Sequence, residues 1–413
     1  MSKSPEGVWI TGIGCVSPHG RGVPALWNGL LDGKSAFSPL TLFDASMFRN
    51  PLAGIVKDYA CTEGKPARAF QMLDDAADEA LSDALGLEAP FPATGASDSR
   101  IKAALSDDEG FKHAAIIAGT NFGGMSAAES ALTCAAGGDL GGYLFGAASL
   151  GLGARFNMSG PKMNLSLSCA SGSAAIGLAF DMIRRGRAEV ALACGYDELS
   201  LYVYAGLSAL RAITPETIRP FDRRRKGTLF SEGAGVMVLE SAEHAQNRNA
   251  KKVYARILGR AMNNDAYHMT APEQDAIGIQ ALMRAALSDA EIGPDAIQHL
   301  NLHATGTPYN DAIETKAVHA VFGARGREIP VCSVKSSTGH CMGAAGIIES
   351  IAGVLSIRDG KIPPILGLEA AEKDPLCDLL TPLDKPFTGT FDTILKTSYG
   401  FGGTNAAVVL ARP

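Results

Sequence analysis

No CxxC pair occurs among the eight cysteines of this 413-residue chain, at 15, 61, 134, 169, 194, 332, 341 and 377. That scatter suits neither a zinc site nor a disulfide framework and predicts reduced thiols in the cytoplasm. There is no basic excess either: the formal net charge is −6, so no overall field draws nucleic acid or an anionic membrane. No apolar run is long enough for a bilayer. The best candidate, Gly343 to Ile357, is short and carries Glu349, which predicts a buried core helix. The first fourteen residues lack the apolar stretch of a signal peptide. GxxxxGK[ST] is absent, which removes a phosphate-binding loop of that kind. What remains, at 46% hydrophobic and 19% charged, is an ordinary globular composition with a large core.

Strand-like runs alternate with helical ones. The strands expected are Val8–Ile13, His113–Ala118, Lys162–Ser168, Ala188–Cys194 and Gly235–Leu239, then Val253–Leu258, His299–His303, Pro330–Val334, Ile394–Thr397 and Ala406–Ala411. Helices are expected at Pro66–Leu85, Ser171–Arg185, Asp275–Ala290, Asn310–Val321 and Ala344–Asp359. The alternation predicts an α/β protein with mixed sheets covered on both faces. Its events occur twice, roughly 170–185 residues apart, as a duplication would leave them. Two stretches, Phe91–Gly110 and Ala135–Arg155, read as excursions from this core, the first as a solvated loop.

Three junctions could carry chemistry. Cys169 follows an apolar strand and opens a helix of small residues; the unpaired N–H groups of a helix start favour a thiolate, although a free cysteine is as often structural. His303 ends a strand in NLHATGTPYND, and His340 lies at the second strand-to-helix junction. A cysteine with two histidines suits acyl transfer followed by stabilisation of a thioester enolate. Lys335 leaves an apolar strand and, if buried, needs a partner, for which Glu314 is the candidate. The turn Gly400-Phe401-Gly402-Gly403 allows close backbone approach, so an N–H there could serve an oxyanion.

SCASGSA around Cys169, HATGTPYND around His303, KSSTGHCMGAAG from Lys335, SYGFGGTNA around Phe401 and RPFDRRRKGTLFSEGAGVMVLE from Arg219 resemble the β-ketoacyl-acyl-carrier-protein synthases of type I/II. The resemblance runs from Val8 to Leu410. It implies a thiolase-like duplicated five-layered αβαβα sandwich with mixed sheets, an N-terminal half (1–250) holding the nucleophile and a C-terminal half (251–413) holding the histidines. It implies a homodimer working on acyl and malonyl groups delivered by acyl carrier protein, in fatty-acid elongation. Cys169 would take the acyl group and His303 and His340 would hold the malonyl thioester oxygen. Lys335, with Glu314, would position them; Phe401, beside Gly402, would gate the site, and the N–H groups of Cys169 and Phe401 would form an oxyanion hole. Thr305 and Thr307 would bind the pantetheine arm. Lys65, Arg68, Arg211, Arg223, Arg224, Arg225 and Lys226 are candidates for docking the acidic carrier. No permanent cofactor is implied; phosphopantetheine arrives on the carrier, and a structural monovalent cation is the one resident ion the resemblance would allow. Thr228 and Phe122 depart from the elongation pattern in the acyl pocket, which keeps a specialised polyketide or aryl-polyene-like ketosynthase in view, with a non-catalytic chain-length-factor-like subunit behind it.

Overall fold

In the computed structural model residues 7–59, 66–87, 98–133, 140–383 and 385–413 are described. Ten strands form most of the main sheet: β1 (Val8–Ser17), β2 (Ala115–Gly119), β3 (Lys162–Leu165), β4 (Val190–Asp197), β5 (Gly233–Ser241), β6 (Ala255–Asn264), β7 (His299–Asn301), β8 (Val331–Cys332), β9 (Thr393–Gly400) and β10 (Thr404–Ala411). Six helices matter for the site: α1 (Arg68–Leu85), α2 (Gly146–Phe156), α3 (Ser171–Arg184), α4 (Ile277–Asp289), α5 (Asn310–Phe322) and α6 (Ala345–Asp359). Every expected strand and helix is present within a few residues at its ends, β1, β4, β6 and β9 running longer than the apolar pattern predicted. The expected solvated loop is a correction: Asp98–Ser106 and Glu109–Lys112 are helical, with Ile101, Leu105 and Phe111 buried in the core; residues 91–97 of that stretch lie outside the described residues.

The strand order is β8-β7-β9-β10-β6-β1-β5-β4-β2-β3. Read outward from the β1–β6 contact, the two halves repeat each other. β5 pairs antiparallel with β1 and β4, and β2 pairs parallel with β4 and β3; likewise β10 pairs antiparallel with β6 and β9, and β7 pairs parallel with β9 and β8. The halves meet through Val8, Trp9 and Ile10 opposite Ile257, Arg256 and Ala255. Helices α1 and α2 cover the outside of the first half, α4 covers the outside of the second with α5 beside it, and α3 and α6 are packed between them. This is the five-layered thiolase-like sandwich.

The middle layer explains the small residues after Cys169 and His340. Helices α3 and α6 cross in backbone contact: a Cβ on Gly172 would lie 2.7 Å from the Ile347 nitrogen, and one on Gly346 would lie 2.3 Å from the Ser173 nitrogen. Only glycine permits that approach. From Ala345 to Ile357 every residue of α6 is buried, so the one acid of that stretch, Glu349, must find a cation inside the protein.

Candidate active site

Cys169 stands in the turn between β3 and α3. Ser168, just before it, is held at φ +48°, a left-handed conformation unfavourable for a residue with a Cβ. The turn is fixed by Ser171 Oγ, which donates to the Ser168 carbonyl at 2.6 Å, and by Thr404 Oγ1, which donates to the Leu167 carbonyl at 2.9 Å. The second bond ties the nucleophile turn to the Phe401 turn, which closes on itself through Gly403 N–H to the Gly400 carbonyl. The N–H groups of Cys169 and Phe401 take part in none of these bonds. Burial acts against the helix start at this position. Burial pushes the Cys169 thiol up to about 12, with Lys335 pulling it down and Asp197 and Glu349 pushing it further up. Loss of water raises the thiol, against the pull of the helix start toward the thiolate.

His303 follows β7, and its N–H and that of Ala304 donate to the two oxygens of Glu314 on α5, each at 2.8 Å. His340 N–H donates to the Leu229 carbonyl, and the imidazole stacks on Phe230 with centroids 5.6 Å apart. The two histidine rings lie 5.4 Å apart at 85°. His340 Nδ1 accepts the Met342 N–H at 3.3 Å, and His303 Nδ1 lies 3.3 Å from the Lys335 ammonium, which can only donate. Burial first, then the charge of Lys335 and Lys396, holds both imidazoles far below their usual range, with His340 adding to the effect on His303. Neutral rings whose Nδ1 accepts carry their proton on Nε2. The site therefore contains two neutral Nε2–H donors.

Lys335 does not pair with Glu314. Its ammonium, fully buried, forms an ion pair with Glu349 of α6 and donates to the His303 carbonyl at 2.7 Å. Glu314 is consumed by the backbone of His303 and Ala304 and by Thr397 Oγ1 at 3.0 Å, which leaves it shaping the turn rather than neutralising the lysine. A second buried lysine, Lys396 in β9, lies 2.7 Å from the other oxygen of Glu349. Neither Lys396 nor Glu349 was assigned to the site from the sequence. The signal was there: each is the only charge in an apolar run, and two such orphans are each other's natural partners.

A cavity of about 350 Å³ opens over Cys169, His303, His340 and Phe401. Thr305, Thr307, Thr228, Arg211 and Gly402 also line it. The hydroxyls of Thr305 and Thr307 are 2.9 Å apart, while the buried Thr228 hydroxyl has no partner among the described residues. Phe122 lies outside this lining, in a neighbouring apolar cluster with Leu199, Val203 and Met342; its N–H donates to Asp197 at 2.9 Å. The basic docking set is largely dispersed. Arg68 is buried in an ion pair with Glu232, which removes it as a docking residue, because its charge is spent inside the protein. Arg223 pairs with Glu372, Arg224 with Asp222 and Glu369, Arg225 with Asp374 and Lys226 with Glu216. Arg211 is exposed on the cavity lining; Lys65 lies outside the described residues. Among the described residues no group of three or more His, Cys, Asp or Glu is placed to hold a metal ion, and no helix is long and apolar enough to cross a membrane.

A thiolase-like sandwich with a cysteine facing two neutral histidines defines a condensing acyltransferase. Residues 5–245 match the N-terminal domain of β-ketoacyl synthases and residues 254–369 match the C-terminal domain. The 3-oxoacyl-[acyl-carrier-protein] synthase 2 of Coxiella burnetii is 34% identical over 427 residues, covering 98% of each chain. Nodulation protein E of Rhizobium leguminosarum bv. trifolii is 35% identical, covering 97% of this chain and 98% of its own. Among solved structures, a type II polyketide ketosynthase in complex with its acyl-carrier protein and bound to the hexaketide superposes with a TM-score of 0.87 at 30% identity, covering 99% and 100% of the two chains. The ishigamide ketosynthase/chain length factor follows at 0.86 and 31%, covering 98% and 99%. The chain belongs to the β-ketoacyl synthase family.

Proposed function

We propose that the protein joins an acyl group to a malonyl unit on acyl carrier protein, with loss of CO2, in fatty-acid elongation. The observation that carries this reading is the convergence of the Cys169 thiol with two neutral imidazoles on one cavity. Cys169 attacks the acyl thioester as its proton passes to the departing phosphopantetheine thiolate. The malonyl thioester then enters, and the Nε2–H groups of His303 and His340 hold its carbonyl oxygen. Breaking the bond to the carboxylate releases CO2 and leaves an enolate on that oxygen, where paired donors in a dry site are worth most. The enolate carbon attacks the acyl-Cys169 carbonyl, the N–H groups of Cys169 and Phe401 receive the oxyanion, and the thiolate leaves.

The first half (1–250) supplies the nucleophile and the second (251–413) the two donors. Lys335 positions His303 through its bonds to Nδ1 and the carbonyl. Thr305 and Thr307 receive the pantetheine arm, Phe401 and Gly402 gate the cavity, and Arg211 is the docking residue for the carrier that the geometry favours. Phosphopantetheine comes and goes with its carrier, the working unit is a homodimer, and the buried free thiols of Cys15, Cys194, Cys332, Cys341 and Cys377 suit the cytoplasm. A specialised polyketide-type ketosynthase is the second reading. It is favoured by the unpartnered Thr228 hydroxyl on the cavity wall, which an oxygenated chain would satisfy.

Intact mass after incubation with acyl-carrier thioesters of graded length tests the proposal. One acyl group is gained by the protein and none by Cys169→Ala. No adduct at any chain length would overturn it, and the chain length preferred separates the two readings.

A further inference from the structure

Lys396 is an improbable residue where it stands. Strand β9 is central in its half-sheet, between β7 and β10, with Lys396 opposite Asn301 on one side and Val408 on the other. The side chain is wholly buried. Three oxygens surround its ammonium: Glu349 Oε2 at 2.7 Å, Ser398 Oγ at 3.1 Å, and the Thr397 carbonyl. An ammonium has three N–H groups; Ser398 and Thr397 accept hydrogen bonds from it, and Glu349 faces it as an ion pair.

One carboxylate, one carbonyl and one hydroxyl are the oxygen donor types that a hard cation takes. The set is also linked to the site. Glu349 gives its other oxygen to Lys335, and Lys335 holds His303 through the carbonyl at 2.7 Å and Nδ1 at 3.3 Å. The relay Lys396–Glu349–Lys335–His303 has no member that reaches solvent appreciably. With a single lysine, Glu349 could draw Lys335 away from His303; with two, each oxygen faces its own ammonium and Lys335 stays where both His303 bonds can form. The net charge of the trio is one positive, which helps keep the neighbouring imidazoles neutral.

A free monovalent cation does not fit among these oxygens, because the Lys396 ammonium already occupies that place. We propose that Lys396 is a built-in cation: it takes the place of a dissociable potassium or sodium ion beside Glu349, positions Lys335 on His303, and makes the enzyme indifferent to monovalent salts. Lys396 is thus a positioning residue that acts through Glu349 and Lys335. Its catalytic part rests on the ketosynthase reading; its ionic part does not, and the experiment separates them.

Wild-type protein is compared in potassium, sodium and choline chloride at equal ionic strength, reading thermal midpoint and malonyl condensation. Both stay within about twofold or a degree across the three salts, as expected of a tethered cation rather than a bound one. Lys396→Ser opens that place. In choline its midpoint falls and condensation drops by up to about 100-fold, the cost of a misplaced catalytic group. Potassium or ammonium chloride restores both with a saturating dose, and choline does not. Lys396→Met fills the same space without charge, so it is impaired and no salt rescues it. A wild type whose midpoint or rate rises with potassium overturns the inference, as does a Lys396→Met variant with wild-type rate and midpoint. If Lys396→Ser cannot be purified in any salt, Lys396→Met and the wild-type salt series decide by those same outcomes. A wild type that never condenses, yet shows the predicted pattern of midpoints, removes the ketosynthase reading and leaves the internal cation standing.

Discussion

Removing the charge of Glu349 should do more damage than removing either lysine it serves. In Glu349→Gln the two ammoniums of Lys335 and Lys396 remain, both fully buried, with no counter-charge between them. A buried lysine in that position gives up its proton instead, and keeping an ordinary lysine neutral at pH 7 costs about 4.6 kcal/mol. Two lysines set a ceiling of about 9 kcal/mol, against a typical domain stability of roughly 5–15 kcal/mol. Lys335→Met is different in kind. Glu349 still faces Lys396, the charges cancel, and the loss is the contact of Lys335 with Glu349 and its two contacts to His303, about 1–3 kcal/mol. Condensation should nevertheless fall by up to about 100-fold, because His303 is no longer held. Denaturant unfolding and thermal midpoint, read beside acylation and condensation rates, separate the two variants. The pH dependence adds a sign. Burial already holds Lys396 below its ordinary range, and losing the carboxylate depresses it further. The unfolded chain then binds more protons than the native one, so the stability of Glu349→Gln rises as pH rises from 7 towards 10 and its deficit narrows. Equal stability of Glu349→Gln and Lys335→Met, or a Glu349→Gln deficit that widens at high pH, would refute the charge arithmetic.

Three further outcomes follow from the structure. With its thiol pushed up to about 12, Cys169 should be alkylated by iodoacetamide at a rate that keeps climbing between pH 7 and 10; a plateau near neutrality would mean a stabilised thiolate. Arg68→Glu should destabilise the protein by about 3–5 kcal/mol by stranding Glu232, whereas Arg211→Glu, at an exposed position, should keep the thermal midpoint and raise KM for the carrier substrate more than for a pantetheine analogue. Equal effects on the two substrates would remove Arg211 from docking.

The order of elements was legible in the chain because apolar periodicity and glycine turns are local signals. Ten strands and the main helices could be placed from it, as could the three junctions that carry Cys169, His303 and His340. Docking was the least legible part: Arg68 has the same residue type as Arg211, but only burial distinguishes an internal ion pair from a surface charge. Likewise, a run of four basic residues from Arg223 to Lys226 looked like a patch until each was seen with its own acid.

By itself, then, the sequence determined which groups the protein has for chemistry and where along the duplicated pattern they fall. Tertiary structure decided what state they are in. Whether Cys169 rests as thiol or thiolate, which nitrogen of each histidine bears the proton, and whether Lys335 answers to Glu314 or to Glu349 all depend on distance and on exclusion of water. Those are set by helices crossing at glycine and by strands far apart in the chain, and no local pattern of residues encodes them.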